Sequence, residues 1–280
     1  MADKATWRLL ASGYADGATN MAVDEAIQRA HAAGQVPPTL RFYGWRPPCL
    51  SLGYFQAAEQ VDLARCRERG VGFVRRPTGG RAILHDRELT YSVVTRESDP
   101  RVAGGVVESY RRISAGLVAG LRRLGVPVET APPVQANERA KSANAACFDV
   151  PSDYELTVEG RKLVGSAQTR RMGTILQHGS LLLAVDCRAI YDLFVFSSEE
   201  MRARLVRDLE KRVAALADVL GREVSFLEVA DALAAGFAEA LELELVPGEL
   251  TPVERDLAEQ LRAAKYATDE WNLRRQSPAW

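Results

Sequence analysis

The chain has 280 residues, of which 47% are hydrophobic and 26% charged, so it can bury a sizeable core. Its 36 basic residues nearly balance its 37 acidic residues, which argues against a dedicated nucleic-acid-binding protein. The N-terminal residues lack a signal-peptide pattern, and no apolar run approaches the ~20 residues that cross a bilayer. We therefore expect a cytoplasmic protein with neither a nucleic-acid nor a membrane partner.

The cysteines and histidines favour neither disulfides nor a metal centre. The four cysteines are Cys49, Cys66, Cys147 and Cys187, and the three histidines are His31, His85 and His178. They show no Cys-x-x-Cys pair and no metal-ligand spacing. We expect free thiols, no metal ligands and no cofactor.

The first half of the chain mixes helical and strand patterns. Residues 20–33 have the apolar spacing of a helix, for which Asn20 is a suitable cap. Apolar residues at every third or fourth position predict an amphipathic helix at 107–124, ended by Gly125. Alternation predicts strands at 39–45, 72–76 and 89–95.

The second half begins with strands and ends with helices. A meander of strands is predicted at 154–158, 161–169 and 175–185, with turns at 159–160 and 172–173. Charged helical sequence then runs from a capping box at 197–200 to about residue 220, and further helices are predicted at 226–241 and 252–264. This order indicates an α+β protein with a helical C-terminal part.

A loop rich in glycine and arginine follows the strand at 72–76. Two adjacent glycines, Gly79 and Gly80, allow the backbone to approach a ligand closely, and the arginines around them could hold an anionic group. An ordinary turn with solvated charges explains the same pattern, and composition alone favours that alternative. No Gly-x-x-x-x-Gly-Lys-Ser/Thr phosphate-binding motif is present.

The strand at 161–169 is a second candidate. Period-two geometry places Lys162, Ser166 and Gln168 on one face. A partly buried lysine there could position a carbonyl group, lower the pKa of a neighbouring thiol or accept an acyl group, although a half-exposed hairpin is the more common explanation. Cys147 lies in Ala-Ala-Cys-Phe-Asp, and nothing local distinguishes it from the other cysteines.

Taken together, several stretches resemble the lipoate-protein ligase and octanoyltransferase family over nearly the whole chain. They are 19–26 (TNMAVDEA), 41–45 (RFYGW), 51–54 (SLGY), 75–86 (RRPTGGRAILHD), 162–168 (KLVGSAQ), 177–180 (QHGS), and 265–266 (KY) with 270–272 (EWN). The resemblance implies the fold of biotin and lipoate protein ligases, a mixed β-sheet flanked by helices. We expect residues 1–280 to form one structural unit, with a catalytic domain at 33–250 and a C-terminal helical segment at 251–280.

Within this family the sequence is most similar to the LipM-type octanoyltransferases, and three features distinguish it from the ATP-dependent ligases. Arg81 follows the two loop glycines where ligases usually carry a third glycine. Residues 87–92 (RELTYS) follow His85 and Asp86 where ligases usually show Gly-Asn. Cys147 stands where the LipM type has its nucleophile.

The resemblance implies a covalent mechanism. Cys147 accepts an octanoyl group from acyl carrier protein, Lys162 lowers the pKa of that thiol, and the group passes to a lysine of a lipoyl-domain protein such as the glycine cleavage H protein. The remaining motif positions imply pocket residues at Asn20, Tyr43, Arg76, Gly79, Gly80, Arg81, His85, Ser166, Gln168 and His178.

Three alternatives remain open. An ATP-dependent lipoate or octanoate ligase could use Lys162 on an acyl-adenylate, with Cys147 incidental. An amidotransferase could take the octanoyl group from one lipoyl-domain protein and pass it to another. A binding module without catalytic activity could hold a lipoyl domain, although the glycine loop and lysine strand indicate a small-molecule pocket.

Overall fold

In a computed structural model that describes residues 4–130 and 155–277, the strands form two sheets. The strands are β1 Ala5–Ala15, β2 Thr39–Trp45, β3 Cys49–Leu52, β4 Gly72–Arg75, β5 Ile83–His85, β6 Glu88–Arg96, β7 Glu129–Thr130, β8 Leu156–Val158, β9 Arg161–Arg171, β10 Thr174–Leu182 and β11 Leu243–Pro247. The larger sheet has the order β11-β1-β2-β6-β10-β9-β8-β7, and the smaller one has the order β4-β3-β5. Only β1 pairs in parallel within the larger sheet, with β11 and β2, so the predicted mixed sheet is confirmed.

Helices cover both faces of the larger sheet. They are α1 Gly17–Ala32, α2 Leu63–Glu68, α3 Val106–Arg123, α4 Cys187–Tyr191, α5 Glu199–Glu210, α6 Leu216–Leu220, α7 Phe226–Ala240, α8 Pro252–Leu261 and α9 Asp269–Asn272, with a 3-10 turn at Ala58–Gln60 and a π-helical turn at Arg262–Tyr266. Among the residues described, no helix is both long enough and apolar enough to span a membrane.

The start of α1 differs from the prediction. The cap is Asp16, whose side chain accepts a hydrogen bond from the Thr19 amide at 2.8 Å. Asn20 lies inside the helix and is fully buried, and its Nδ2 donates to the carbonyls of Ala15 and Gly44. The asparagine therefore fastens α1 to the β2 strand instead of capping the helix.

The predicted helix from 197 to 220 is also wrong, because it is two helices. Ser198 caps the first one, which ends at Glu210. The chain then runs extended beside β9: the Lys162 amide donates to the Arg212 carbonyl at 2.7 Å, and the Ala214 amide donates to the Lys162 carbonyl at 2.9 Å. These sheet-like bonds hold the connecting residues out of a helical conformation.

The largest core lies between the sheet and the helix pair α3 and α7, which approach each other unusually closely. A Cβ at Gly236 would lie 2.1 Å from the backbone nitrogen of Gly120, and one at Gly116 would lie 2.4 Å from the Phe237 ring. Close packing leaves no room for an added methyl group at such contacts. Glycine is therefore required at this crossing.

We predict that Gly236→Ala destabilises the protein by about 1–3 kcal/mol, towards the upper end because the clash is with backbone. Urea unfolding measures the loss. Gly105→Ala is the matched control, since Gly105 has a φ of −65° and open space around its Cβ position. Equal stability of the two variants would contradict the close contact between α3 and α7.

Candidate active site

A narrow cavity lies where the larger sheet meets the smaller sheet and α1. The empty space between its walls, including the open mouth, is about 360 Å³. Its walls are built from Met21, Tyr43, Trp45, Ser51, Arg76, Ile83, His85, Thr90, Gly165, Ser166, Ala167, His178, Gly179 and Ser180.

A glycine on β10 allows close packing at one wall of the cavity. A Cβ at Gly179 would lie 2.4 Å from Ser166 Oγ and 2.6 Å from the Tyr91 ring. Those two side chains are joined in turn, because Tyr91 Oη donates to Ser166 Oγ at 2.8 Å. The absence of a side chain at this position lets Ser166, on the adjacent strand β9, and the Tyr91 ring pack directly against the β10 backbone.

A buried carboxylate organises the cavity from the α1 side. Asp24 has no solvent exposure and accepts from Arg41 Nη1 at 2.7 Å and from Ser92 Oγ at 2.9 Å. Its other oxygen accepts from Tyr43 Oη at 2.8 Å and lies 3.3 Å from His178 Nδ1. The carboxylate therefore joins side chains from β2, β6 and β10.

Electrostatics keep this carboxylate ionised. Burial alone would raise the pKa of Asp24, but the adjacent Arg41 guanidinium and the hydrogen bond from His178 hold its pKa below the ordinary value. Burial and the neighbouring Asp24 raise the pKa of Tyr43 well above its usual range. Near neutral pH the cluster thus contains an anionic Asp24 and a protonated tyrosine.

A second histidine lines the wall formed by the smaller sheet. The His85 ring stacks on Trp45 with centroids 4.0 Å apart, and its Nε2 lies 2.8 Å from Ser51 Oγ. Its Nδ1 faces Glu88 Oε1 at 3.7 Å, beyond hydrogen-bond range. Burial lowers the pKa of His85, only partly opposed by Glu88, so this imidazole is neutral near pH 7.

The predicted glycine loop borders the cavity and is held by one arginine. Arg76 Nη2 donates to the carbonyls of Gly79 at 2.8 Å and Arg81 at 2.7 Å, while its Nη1 donates to Ser51 Oγ at 3.1 Å. Gly80 has a φ of +87°, which favours glycine, and a Cβ on Gly53 would lie 1.8 Å from the Gly80 carbonyl oxygen. The loop is therefore fixed by Arg76 and by a close backbone approach.

Five of the predicted pocket residues line the cavity: Tyr43, Arg76, His85, Ser166 and His178. Others surround it. Asn20 accepts from Arg41 Nη2 at 2.9 Å and so supports the Asp24 cluster, and Gln168 Nε2 donates to Ser109 and Gln177 beyond the cavity.

The two predicted catalytic residues are not among the described residues that line the cavity. Cys147 is outside the described residues. Lys162 is buried on β9 but is not part of the cavity wall, and its Nζ forms an ion pair with Glu155 Oε1 at 2.5 Å. The lysine therefore already has a carboxylate partner at the end of the chain segment that carries Cys147.

Several polar residues of the site were missed by the sequence analysis. They are Asp24, Thr78, Glu88, Thr90 and Ser180, all buried. Glu88 accepts from Thr90 Oγ1 at 2.9 Å and from Ser180 Oγ at 2.6 Å. Asp24 and Glu88 could have been found from the sequence, because each lies within an otherwise apolar helix or strand. An acidic group that is buried in such a position needs a hydrogen-bond or charge partner.

Residues 16–238 match the model of the lipoyl protein ligase A/B catalytic domain. The chain belongs to this family. It is 57% identical over 273 residues to the octanoyltransferase LipM of Kyrpidia tusciae, covering 96% of this chain and 99% of that protein. It is 45% identical over 276 residues to the octanoyltransferase LipM of Bacillus subtilis, covering 97% and 99%.

Solved structures of the family agree with the fold. A bipartite lipoate protein ligase from Thermoplasma acidophilum superposes with a TM-score of 0.82 at 29% identity, covering 98% of this chain and 99% of that one. A lipoate-protein ligase A bound with ATP gives a TM-score of 0.77 at 29% identity, covering 97% and 99%. The predicted family membership and ligase-like α+β fold are confirmed.

We predict that Asp24→Asn destabilises the protein by about 3–5 kcal/mol near pH 7, because Arg41 is left buried without its counter-charge. The Asp24 pKa is lowered from 3.8, so its stabilisation is present above that pH and lost as the pH falls through the folded-state pKa. The gap between variant and wild type therefore narrows in acid. Denaturant unfolding at several pH values measures it.

The control for this experiment is Asp208→Asn, which removes a partly exposed carboxylate 3.8 Å from Arg204. A surface pair of this kind contributes at most about 1 kcal/mol. A loss for Asp24→Asn as small as that of the control would show that the buried cluster does not depend on the charge of Asp24.

Proposed function

We propose that this protein is an octanoyltransferase of protein lipoylation that works through an acyl-enzyme on Cys147. The observation that carries the proposal is identity of 45–57% to octanoyltransferases LipM over nearly the full length of both chains. The cavity bordered by β9, β10 and the glycine loop supports it, because the predicted pocket residues Tyr43, Arg76, His85, Ser166 and His178 line it together.

The donor is octanoyl-acyl carrier protein, and the acceptor is a lysine of a lipoyl-domain protein, for which the glycine cleavage H protein is our first choice. The Cys147 thiolate attacks the donor thioester and displaces the carrier thiol. The acceptor amine then attacks the new thioester and forms the amide. The first step exchanges one thioester for another and the second forms a more stable amide, so neither step requires ATP or a cofactor.

Two of the three described cysteines, Cys49 and Cys66, support the choice of Cys147, because they are poor nucleophiles. Cys49 is fully buried, and burial raises its pKa far above that of an ordinary thiol. Burial raises the pKa of Cys66 to about 11. At pH 7 only about one such thiol in ten thousand is ionised, whereas an unperturbed thiol of pKa ~8.5 is about 3% ionised.

A transfer assay tests the proposal. We expect octanoyl-acyl carrier protein without ATP to add one octanoyl group to the enzyme and then to an apo lipoyl-domain protein, as measured by intact mass. Modification only with free octanoate, magnesium and ATP would indicate a ligase instead. Modification only with an octanoylated lipoyl-domain protein as donor would indicate an amidotransferase.

In the same assay, Cys147→Ala abolishes acyl-enzyme formation and transfer, because the only proposed acyl acceptor is removed. The control is Cys187→Ala, which removes a buried cysteine that packs in the core around α4. Full activity in Cys147→Ala, or equal losses in both variants, would contradict the covalent mechanism.

We also predict that Lys162→Ala slows acyl-enzyme formation more at pH 7 than at pH 9. At the higher pH an unassisted thiol is already mostly ionised, so a nearby ammonium contributes less. The rate of single-turnover acylation measures the effect. Arg161→Ala is the matched control, since it removes the neighbouring positive charge, which pairs instead with the exposed Glu159. A loss independent of pH would assign Lys162 to substrate positioning.

A further inference from the structure

The two-step transfer leaves one proton to be accounted for. An acceptor lysine has a pKa near 10.4 and arrives as an ammonium at pH 7, without a lone pair for attack. The amine must therefore lose a proton before the carbon–nitrogen bond forms, and a base at the site speeds this loss. General bases that do this contribute about 10²–10⁴-fold to the rate.

His178 is the side chain in the cavity wall whose contacts fit this task. Its Nδ1 lies 3.3 Å from the ionised Asp24, and its Nε2 lies 2.7 Å from Thr78 Oγ1. A carboxylate accepts a hydrogen bond, so Nδ1 carries the proton and Nε2 is the basic nitrogen that accepts from the hydroxyl. Carboxylate, imidazole and hydroxyl thus follow one another as in a catalytic triad.

The surroundings of Asp24 reinforce this order. Arg41, Tyr43 and Ser92 already donate to its two oxygens. These bonds fix the carboxylate while leaving it anionic, so that it can stabilise a positive charge on the imidazole. Asp24 does not line the cavity, and it acts through His178 as a positioning residue.

The other cavity histidine is less suited to accept a proton. The nearest carboxylate to His85 is Glu88 at 3.7 Å from Nδ1, and burial lowers the pKa of this ring. Arg76 adds positive charge on the same wall. An imidazolium at position 85 would therefore receive little compensation, whereas one at position 178 would lie against an ionised carboxylate.

We propose that His178, reached through the Thr78 hydroxyl, is the general base of the acyl-transfer step onto the acceptor lysine; the proposal rests on the acyl-enzyme mechanism proposed above. The ammonium gives a proton to Thr78 Oγ1, which passes its own proton to His178 Nε2. The amine lone pair attacks the thioester carbon, and the carbon–sulfur bond breaks with its electron pair on Cys147. The second amine proton goes to that sulfur, and the imidazolium releases its proton to solvent.

The test uses octanoyl-enzyme formed from octanoyl-acyl carrier protein. The cleavage rate is measured by intact mass with the lipoyl-domain acceptor and, separately, with hydroxylamine, an amine that is uncharged at neutral pH and needs no base. For His178→Asn, whose amide still reaches Asp24, we expect the ratio of the acceptor rate to the hydroxylamine rate to fall by about 10²–10⁴-fold. Thr78→Val, which removes only the hydroxyl, lowers the same ratio.

His31→Asn is the control, because it changes a buried histidine outside the cavity whose Nδ1 contacts the Val36 carbonyl at 2.8 Å. Its ratio stays at the wild-type value. A wild-type ratio in His178→Asn, or equal losses with both amines, overturns the general-base assignment. If His178→Asn fails to fold, an unchanged ratio in Thr78→Val overturns the relay. Failure of the wild-type enzyme to form octanoyl-enzyme instead refutes the acyl-enzyme mechanism itself.

Discussion

The arrangement of the cavity depends on the hydrogen bonds and the ion pair that the buried Asp24 carboxylate accepts. One side chain on α1 is bonded to Arg41 and Tyr43 on β2, to Ser92 on β6 and to His178 on β10. Buried ion pairs are weak sources of net stability, because desolvation offsets most of their attraction. What this pair provides is geometry: an anion with four donors from three strands admits only one placement of α1 against the sheet. The same carboxylate fixes the orientation of Tyr43 and His178 in the cavity wall.

Arg75 makes a second set of buried hydrogen bonds, which reach the C-terminal helix α9. Arg75 donates from its guanidinium to the carbonyls of Gly53, Tyr54 and Gln56, and its backbone is bonded to Trp271 and Asn272 on α9. The π-helical turn before α9 places Lys265 and Tyr266 on Glu25, the neighbour of Asp24 in α1. Asp24 and Glu25 are adjacent in α1 but bind different parts of the chain: Asp24 binds strand residues at the cavity, and Glu25 binds the π-helical turn. The predicted C-terminal segment, 251–280, is bonded to the strand that leads into the glycine loop.

Periodicity in the sequence located six of the eleven described strands and the helices of ten residues or more, because a half-buried helix or strand repeats its apolar residues at a fixed interval. It missed the strand β1 and the short helices α2, α4 and α9. It failed where tertiary contacts override the local pattern. The charged run after residue 197 has helical composition throughout, yet the main-chain groups of Lys162 draw residues 212–214 into an extended conformation. The same limit applies to the site. The resemblance implied His85 and His178, but their partners Ser51 and Thr78 come from distant segments, and no sequence interval encodes those pairs.

The ion pair between Lys162 and Glu155 changes how strongly this lysine can activate a thiol. The two side chains are 5% and 9% exposed, and Lys162 Nζ lies 2.5 Å from Glu155 Oε1. A paired ammonium acts on other groups as one end of a dipole, because the potential of the carboxylate partly cancels its own. The net potential of the pair is positive only at points nearer to Nζ than to the carboxylate. Under the proposed mechanism, Lys162 can therefore favour a thiolate only from the side of the ammonium that faces away from Glu155.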